Sequence, residues 1–222
     1  MLANGDGGEK NLARADEWFR KAAEQNHRDA QFRLAVACMA GQGMETNDVE
    51  GLHWLRRAAD GGWPLAEYVL GSYYSTGKHG ILKDPEQSVR WIQRSAEHGN
   101  SQAQFHLASN YLYGQDVPKD MLEAVRWFWR AAAQGHAEAQ NSIGYACETG
   151  ATGETNVVEA YMWYQLAVRQ GEARSQVNLK RLLPRLAPEQ ISEGNRRFQE
   201  FKPRPAELPN PLPMQASSNT AD

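Results

Sequence analysis

The sequence predicts an all-helical chain in which helix pairs stack into an α-solenoid of about five repeats of 36–37 residues, closed by a C-terminal capping helix. Three observations predict it. Trp18, Trp54, Trp91, Trp127 and Trp163 recur at intervals of 36, 37, 36 and 36 residues, a regularity that five independently placed tryptophans would hardly ever produce. Helix-stopping residues hold the same phase, with Asn26, Gly62, Gly99, Gly135 and Gly171 eight residues after each Trp. Small residues flank every indole at helical spacing.

The Trp helix is enclosed at both ends. Asn11, Asn47, Asp84, Asp120 and Asn156 lie seven residues before each Trp and are N-caps, and Pro85 follows Asp84 at the favoured first helical position. Gly and Asn tolerate the left-handed conformation of a helix stop. About 14 residues are thus enclosed per repeat. Inside, Ala15, Gly51, Ser88, Ala124 and Ala160 stand three before the Trp, and Ala22, Ala58, Ser95, Ala131 and Ala167 four after. Each indole lies between two gaps that a neighbouring helix can fill. A second helix carries Ala30, Ala66, Ala103 and Ala139, then Leu34, Leu70, Leu107, Ile143 and Leu179, then Cys38, Tyr74, Tyr111 and Cys147. Ala35, Gly71, Ala108 and Gly144 are small where two backbones are expected to approach, and Gly41, Gly77, Gly114 and Gly150 end this helix. Neither helix can bury its apolar face alone, so successive pairs must stack.

Read as Ala66 to Gly71, Tyr74, Gly77, Asp84, Trp91, Ala96 and Gly99, the unit resembles the Sel-one-like repeat, the 36-residue relative of the tetratricopeptide repeat. The resemblance covers residues 1–183 and implies a right-handed superhelix. Departures are few: Gly51 and Ser88 replace Ala, one extra loop residue falls around Lys78 to Lys83, and Val168 replaces the second Ala after Trp163.

At the N-terminus Leu2 to Gly5 reads as the end of a helix whose start lies upstream, so either an upstream half-repeat or a partner should cover that edge. At the C-terminus the last repeat's first helix ends at Pro184. Pro188 then opens an amphipathic helix with Ile191, Asn195, Phe198 and Phe201 roughly on one face, giving a cap over 184–201. From Lys202 to residue 222 the Pro-rich composition predicts an extended, disordered tail, with Pro209, Pro211 and Pro213 as a possible polyproline ligand.

Of the 222 residues 41% are hydrophobic and 23% charged, which describes a globular chain, and a formal net charge of −3 leaves no domain-wide basic footprint for nucleic acid. No stretch is long and apolar enough for membrane insertion. Residues 169–204 hold nine basic side chains against four acidic ones, which reads as a basic terminal patch for an acidic partner or as a solvated helix face. The six His show no metal-ligand spacing and Cys38 and Cys147 fill core positions, so no metal and no cofactor is expected. Ser75-Thr76-Gly77-Lys78 matches the Ser-x-x-Lys of penicillin-recognising enzymes, but Gly77 ends a helix where that motif needs the helix to begin.

The chain is therefore expected to be no enzyme. The resemblance implies that the Ala/Leu helices line the concave side of the stack and that residues two before and two after each Leu face into it. Those rows are Phe32, Tyr68, Phe105, Asn141 and Val177, and Val36, Ser72, Ser109, Tyr145 and Arg181; Met39, Leu112, Tyr113 and Glu148 form a second band. Aromatic anchors beside small polar groups suit a peptide groove. Partial burial between repeats is the competing explanation of Phe32, Tyr68 and Phe105. The expected function is an adaptor that binds a partner protein or peptide in this groove, as a monomer unless the N-terminal edge self-associates. Alternatives are an exported inhibitor or immunity-type protein and, behind it, a β-lactamase-like hydrolase. The resemblance suggests bacterial origin. Unpaired Cys and no export signal favour the cytoplasm, and a signal peptide upstream would mean the periplasm or secretion.

Overall fold

The computed structural model describes residues 12–41, 45–151 and 153–204, with side chains from Trp18 onward. The expectations for Asn11, for Leu2 to Gly5, for the Ala15 side chain and for residues 205–222 of the tail lie outside the described residues. The chain divides into two compact units, Met1–Asn100 and Ser101–Asp222. All regular structure among the described residues is helical. Unit 1 holds α1 (Leu12–Glu24), α2 (Arg28–Ala40), α3 (Asp48–Asp60), α4 (Pro64–Thr76) and α5 (Pro85–Glu97). Unit 2 holds α6 (Ser101–Tyr113), α7 (Met121–Ala133), α8 (Ala137–Thr149), α9 (Val157–Arg169), α10 (Ala173–Leu182), a 3-10 turn (Leu183–Arg185) and α11 (Pro188–Glu200).

The ends of the helices are where the residue types put them. Asn47, Asp84 and Asp120 are extended, and each of these side chains and that of Asn156 accepts a hydrogen bond from the backbone N–H three residues on, at 3.1, 3.0, 3.0 and 3.0 Å. Among the stops, Gly62, Gly99, Gly135 and Gly171 take φ of 81°, 90°, 96° and 85°, and Asn26 takes 64°. Two histidines add caps that the spacing did not predict: His27 Nδ1 and His136 Nδ1 accept from Ala30 and Ala139 N–H.

The most extensive packing joins α2 to α3, α4 to α5, α6 to α7 and α8 to α9. Each unit of the pattern therefore begins with an Ala/Leu helix, here an A helix, and finishes with a Trp helix, here a B helix. Trp54, Trp127 and Trp163 are buried, whereas Trp18 is 60% exposed. Leu34, Leu70, Leu107 and Ile143 are fully buried, with Ala58, Ser95, Ala131 and Ala167 equally sealed under the indole row. Small residues do permit close approach: a Cβ on Gly71 would stand 2.9 Å from Ile92 Cγ1, and one on Gly144 2.7 Å from the Tyr164 ring.

Helix α11 packs on α9. The centre of its buried face is Gly194, where a Cβ would come within 2.5 Å of Tyr161 Cδ1. Asn195, expected inside, sits at the edge and accepts from Tyr161 Oη and Gln165 Nε2 at 3.3 and 3.1 Å. The rotation follows from size, since only glycine lets the helix rest on that ring. Arg169 lies over the Phe198 ring, and Phe201 meets Trp163 edge-on.

Candidate functional site

The candidate site residues all project from A helices. In unit 1, α2 carries Phe32 and Val36 and α4 carries Tyr68 and Ser72; Val36 is 39% exposed and the other three are half-buried. In unit 2, α6 carries Phe105, Ser109 and Tyr113, and α8 carries Asn141 and Tyr145. Tyr113 and Tyr145 are open, at 75% and 51% exposure. Phe105 is not a free anchor. Its ring stacks on His136 at 4.7 Å and tilts against Phe128 at 5.5 Å, so it belongs to the joint between α6 and α7. Asn141 is likewise committed, accepting from Ser175 Oγ at 2.8 Å and Asn178 Nδ2 at 3.0 Å. Ser109 donates back to the Phe105 carbonyl within its own helix. The expected rows thus divide, with an inner set that joins repeats and an outer set, Val36, Tyr113, Tyr145 and Val177, that meets solvent.

A buried polar row went unnoticed in the sequence. Gln31, Glu67, Gln104 and Gln140 stand thirteen residues after the first four Trp of the repeat series, and all four are sealed from solvent, while Gln176, thirteen after Trp163, is exposed. Gln31 and Gln140 donate to the carbonyls of Ala23 and Ala132 on the preceding B helix. Gln104 and Gln140 accept from Gln134 and Gln170, the C-caps of the B helix of their own repeat. Glu67 is the charged exception, flanked by Arg94 Nε at 2.7 Å and His98 Nδ1 at 2.8 Å. The signal that would have found the row is its period, the same that marked the tryptophans.

The nine basic groups of residues 169–204 are largely committed. Arg181 and Arg185 both contact Glu148, at 2.7 and 3.0 Å. Arg196 pairs with Glu193 and Glu200, Arg197 with Glu193 and Glu159, and Arg174 with Glu172. The hydrogen bonds from Arg196 and Arg197 hold Glu193 down to about 2. Burial raises Glu159 despite Arg197, and burial followed by the Glu148 hydrogen bond raises Tyr164 far above the ordinary phenol value.

The Ser-x-x-Lys segment does not open a helix. Ser75 lies in the last turn of α4, Gly77 follows at φ 73°, and Lys78 is beyond the helix. Cys38 and Cys147 are buried thiols outside any disulfide, and burial pushes Cys147 up to about 12, which suits a core thiol and not a nucleophile. No three His, Cys, Asp or Glu side chains gather as metal ligands among the described residues, and no described helix is long and apolar enough to cross a membrane.

Comparison with known proteins gives a consistent picture. The family model described as the Sel1 repeat matches residues 1–27, 28–63, 64–100, 101–136 and 137–172, with the four later matches each opening at an A helix. A Sel1 repeat protein from Oxalobacter formigenes superposes with a TM-score of 0.76 at 34% identity, over 79% of this chain and 50% of that one. Immunity protein Pa5087 from Pseudomonas aeruginosa superposes at 0.51 with 23% identity, over 90% of this chain and 75% of that one, a likeness of fold alone. Chitin synthase regulatory factor 2 of Schizosaccharomyces pombe is 30% identical over 81 residues, which are 36% of this chain and 16% of the yeast protein. The chain therefore spans half of the Oxalobacter protein and a small fraction of the yeast factor.

Proposed function

This chain belongs to the Sel1 repeat family, and we propose that it is a non-enzymatic scaffold that binds a partner protein through the exposed side chains on the A helices of each unit. Sel1 repeats mediate protein–protein interaction. The observation that supports this reading is the exposure of Val36, Tyr113, Tyr145 and Val177, large apolar side chains on A helices whose inner neighbours are spent on joining repeats. Tyrosine in particular offers wide contact area with little rotamer entropy to lose and a hydroxyl to orient a backbone.

The test is to charge the outer set and leave the inner set alone. Val36→Glu in unit 1 and Tyr113→Glu in unit 2 replace exposed side chains and keep the core intact. Each variant, checked for wild-type helicity and melting, should lose partners that the unaltered chain captures from its native cell. A folded double variant that captures the same partners would refute the proposal. Phe105→Glu would be uninformative, because unstacking His136 damages the fold.

A further inference from the structure

Comparison of the repeats position by position separates side chains that the fold requires from those it does not. Twenty-one residues after the Trp stand Met39, Ser75 and Leu112, and twenty-two after stand Ala40, Thr76, Tyr113 and Thr149, all uncharged. At these positions and eighteen residues after the Trp, charge appears among the described residues in unit 2, as Glu148, Arg181 and Arg185. Glu148 is buried, its side chain 5% exposed. It accepts from Tyr164 Oη at 2.9 Å, Arg181 Nη2 at 2.7 Å and Arg185 Nη1 at 3.0 Å.

The two arginines do more than neutralise that carboxylate. Two positive charges meet one negative charge, and the guanidinium side chains stay 51% and 59% exposed. Each guanidinium has five N–H donors, and Glu148 engages one from each. The remaining donors belong to half-exposed side chains that Glu148 already holds in place, so a second carboxylate would be gripped with little further loss of rotamer freedom. Tyr145, at the same register position as Arg181 one repeat earlier, and Val177, one turn before Arg181 on α10, are 51% and 67% exposed.

We propose that this end of unit 2 binds an acidic segment of a partner protein, with an Asp or Glu side chain taken by Arg181 and Arg185 and an adjacent aromatic or aliphatic side chain laid on Tyr145 and Val177. The choice of an acidic occupant rests on the surplus positive charge, and the whole deepens the scaffold proposal by giving its partner a chemistry.

The probe is a fluorescently labelled random copolymer of Glu and Tyr, titrated with the full chain and followed by anisotropy beside a Lys/Tyr copolymer. The acidic copolymer should bind, the basic one should not, and binding should weaken as salt rises. Arg185→Ala should weaken it about tenfold, the loss of one charge-assisted contact of roughly 1.4 kcal/mol. Arg174→Ala removes the same charge from an exposed arginine on α10, away from Glu148, and should change it less than about twofold. Should Arg185→Ala fail to fold, Tyr145→Ser, at an exposed position, serves in its place and should also weaken binding. Equal binding of both copolymers, equal effects of the two arginine variants, or indifference to Tyr145→Ser overturns the proposal. So does a dimer by light scattering that Tyr145→Ser dissolves, which would make a second copy the occupant. Loss of native partners in the Val36→Glu and Tyr113→Glu variants, with no copolymer binding, would leave the scaffold function standing and remove only the chemistry assigned here.

Discussion

Substituting Gly144 by Ala tests the packing that places Glu148. Alanine is the better helix former by about 1 kcal/mol, so on propensity alone the change should stabilise α8. The structure predicts the opposite. The new Cβ would lie 2.7 Å from both Cδ1 and Cε1 of Tyr164 and 3.3 Å from Cγ, so the ring must retreat by about 0.7 Å to reach ordinary contact. Tyr164 has nowhere to go, being fully buried with its hydroxyl held 2.9 Å from Glu148. Overpacking of this kind costs about 1–3 kcal/mol, and stretching a hydrogen bond to a charged acceptor costs about 1.5 kcal/mol more if it breaks. Set against the helical gain, a net loss of about 2 kcal/mol is expected, or a Tm lower by roughly 4–8 °C in a chain of this size. The assay is urea and thermal unfolding by circular dichroism. The same substitution in a Tyr164→Leu background, where the ring is gone, should recover the helical gain, so the double-mutant cycle should give a coupling of about 3 kcal/mol. A Gly144→Ala protein more stable than the parent, or a coupling below about 0.5 kcal/mol, would refute the packing argument.

Three further outcomes are expected. Asn156→Ala removes the bond to Glu159 N–H and should cost about 1 kcal/mol in urea unfolding, while Asn156→Asp should cost little. Glu67→Gln converts the charged member of the buried row to the residue used at its three other positions, and should alter stability by less than about 1 kcal/mol, whereas Glu67→Lys, facing Arg94 and His98, should not fold. Burial holds His136 below its ordinary 6.5, so the unfolded chain takes up a proton first. Stability is then fully present above 6.5 and is lost as pH falls through the folded value. His136→Asn keeps a capping side chain and removes that titration, so its urea midpoint should vary less between pH 7.5 and 5.5 than the parent's; an unchanged slope would exonerate His136.

How much of this was legible in the sequence depends on whether a residue acts on its own backbone or across a joint. Caps and stops act locally, and Asn47, Asp84, Asn26 and Gly62 sit where their chemistry alone would put them. The Leu and Trp rows were legible because burial needs only an apolar residue at the right period. Groove residues were less so. Phe105 and Tyr145 are both aromatic and lie on the same class of helix, but Phe105 is spent on His136, a partner thirty-one residues away, and Tyr145 is open. Gly194 escaped for the same reason, because its role is set by Tyr161.

Repetition gives most positions of this chain an equivalent in a neighbouring repeat. In a single-copy fold, a buried charge such as Glu148 has no internal control, and whether it serves stability or recognition is undecided by its burial. Here the equivalent positions hold Met39, Ser75 and Leu112, so the repeat forms without a carboxylate there. A buried carboxylate costs free energy that only its partners offset, and a feature that costs stability where the neighbouring repeats avoid the cost is best sought in binding. Glu67 meets the same criterion in part: it too stands alone among Gln31, Gln104 and Gln140, but its partners Arg94 and His98 come from the helix that its repeat already packs, so the charge closes on itself. Arg181 and Arg185 leave a surplus at the surface, and that surplus distinguishes a recognition element from an internal brace.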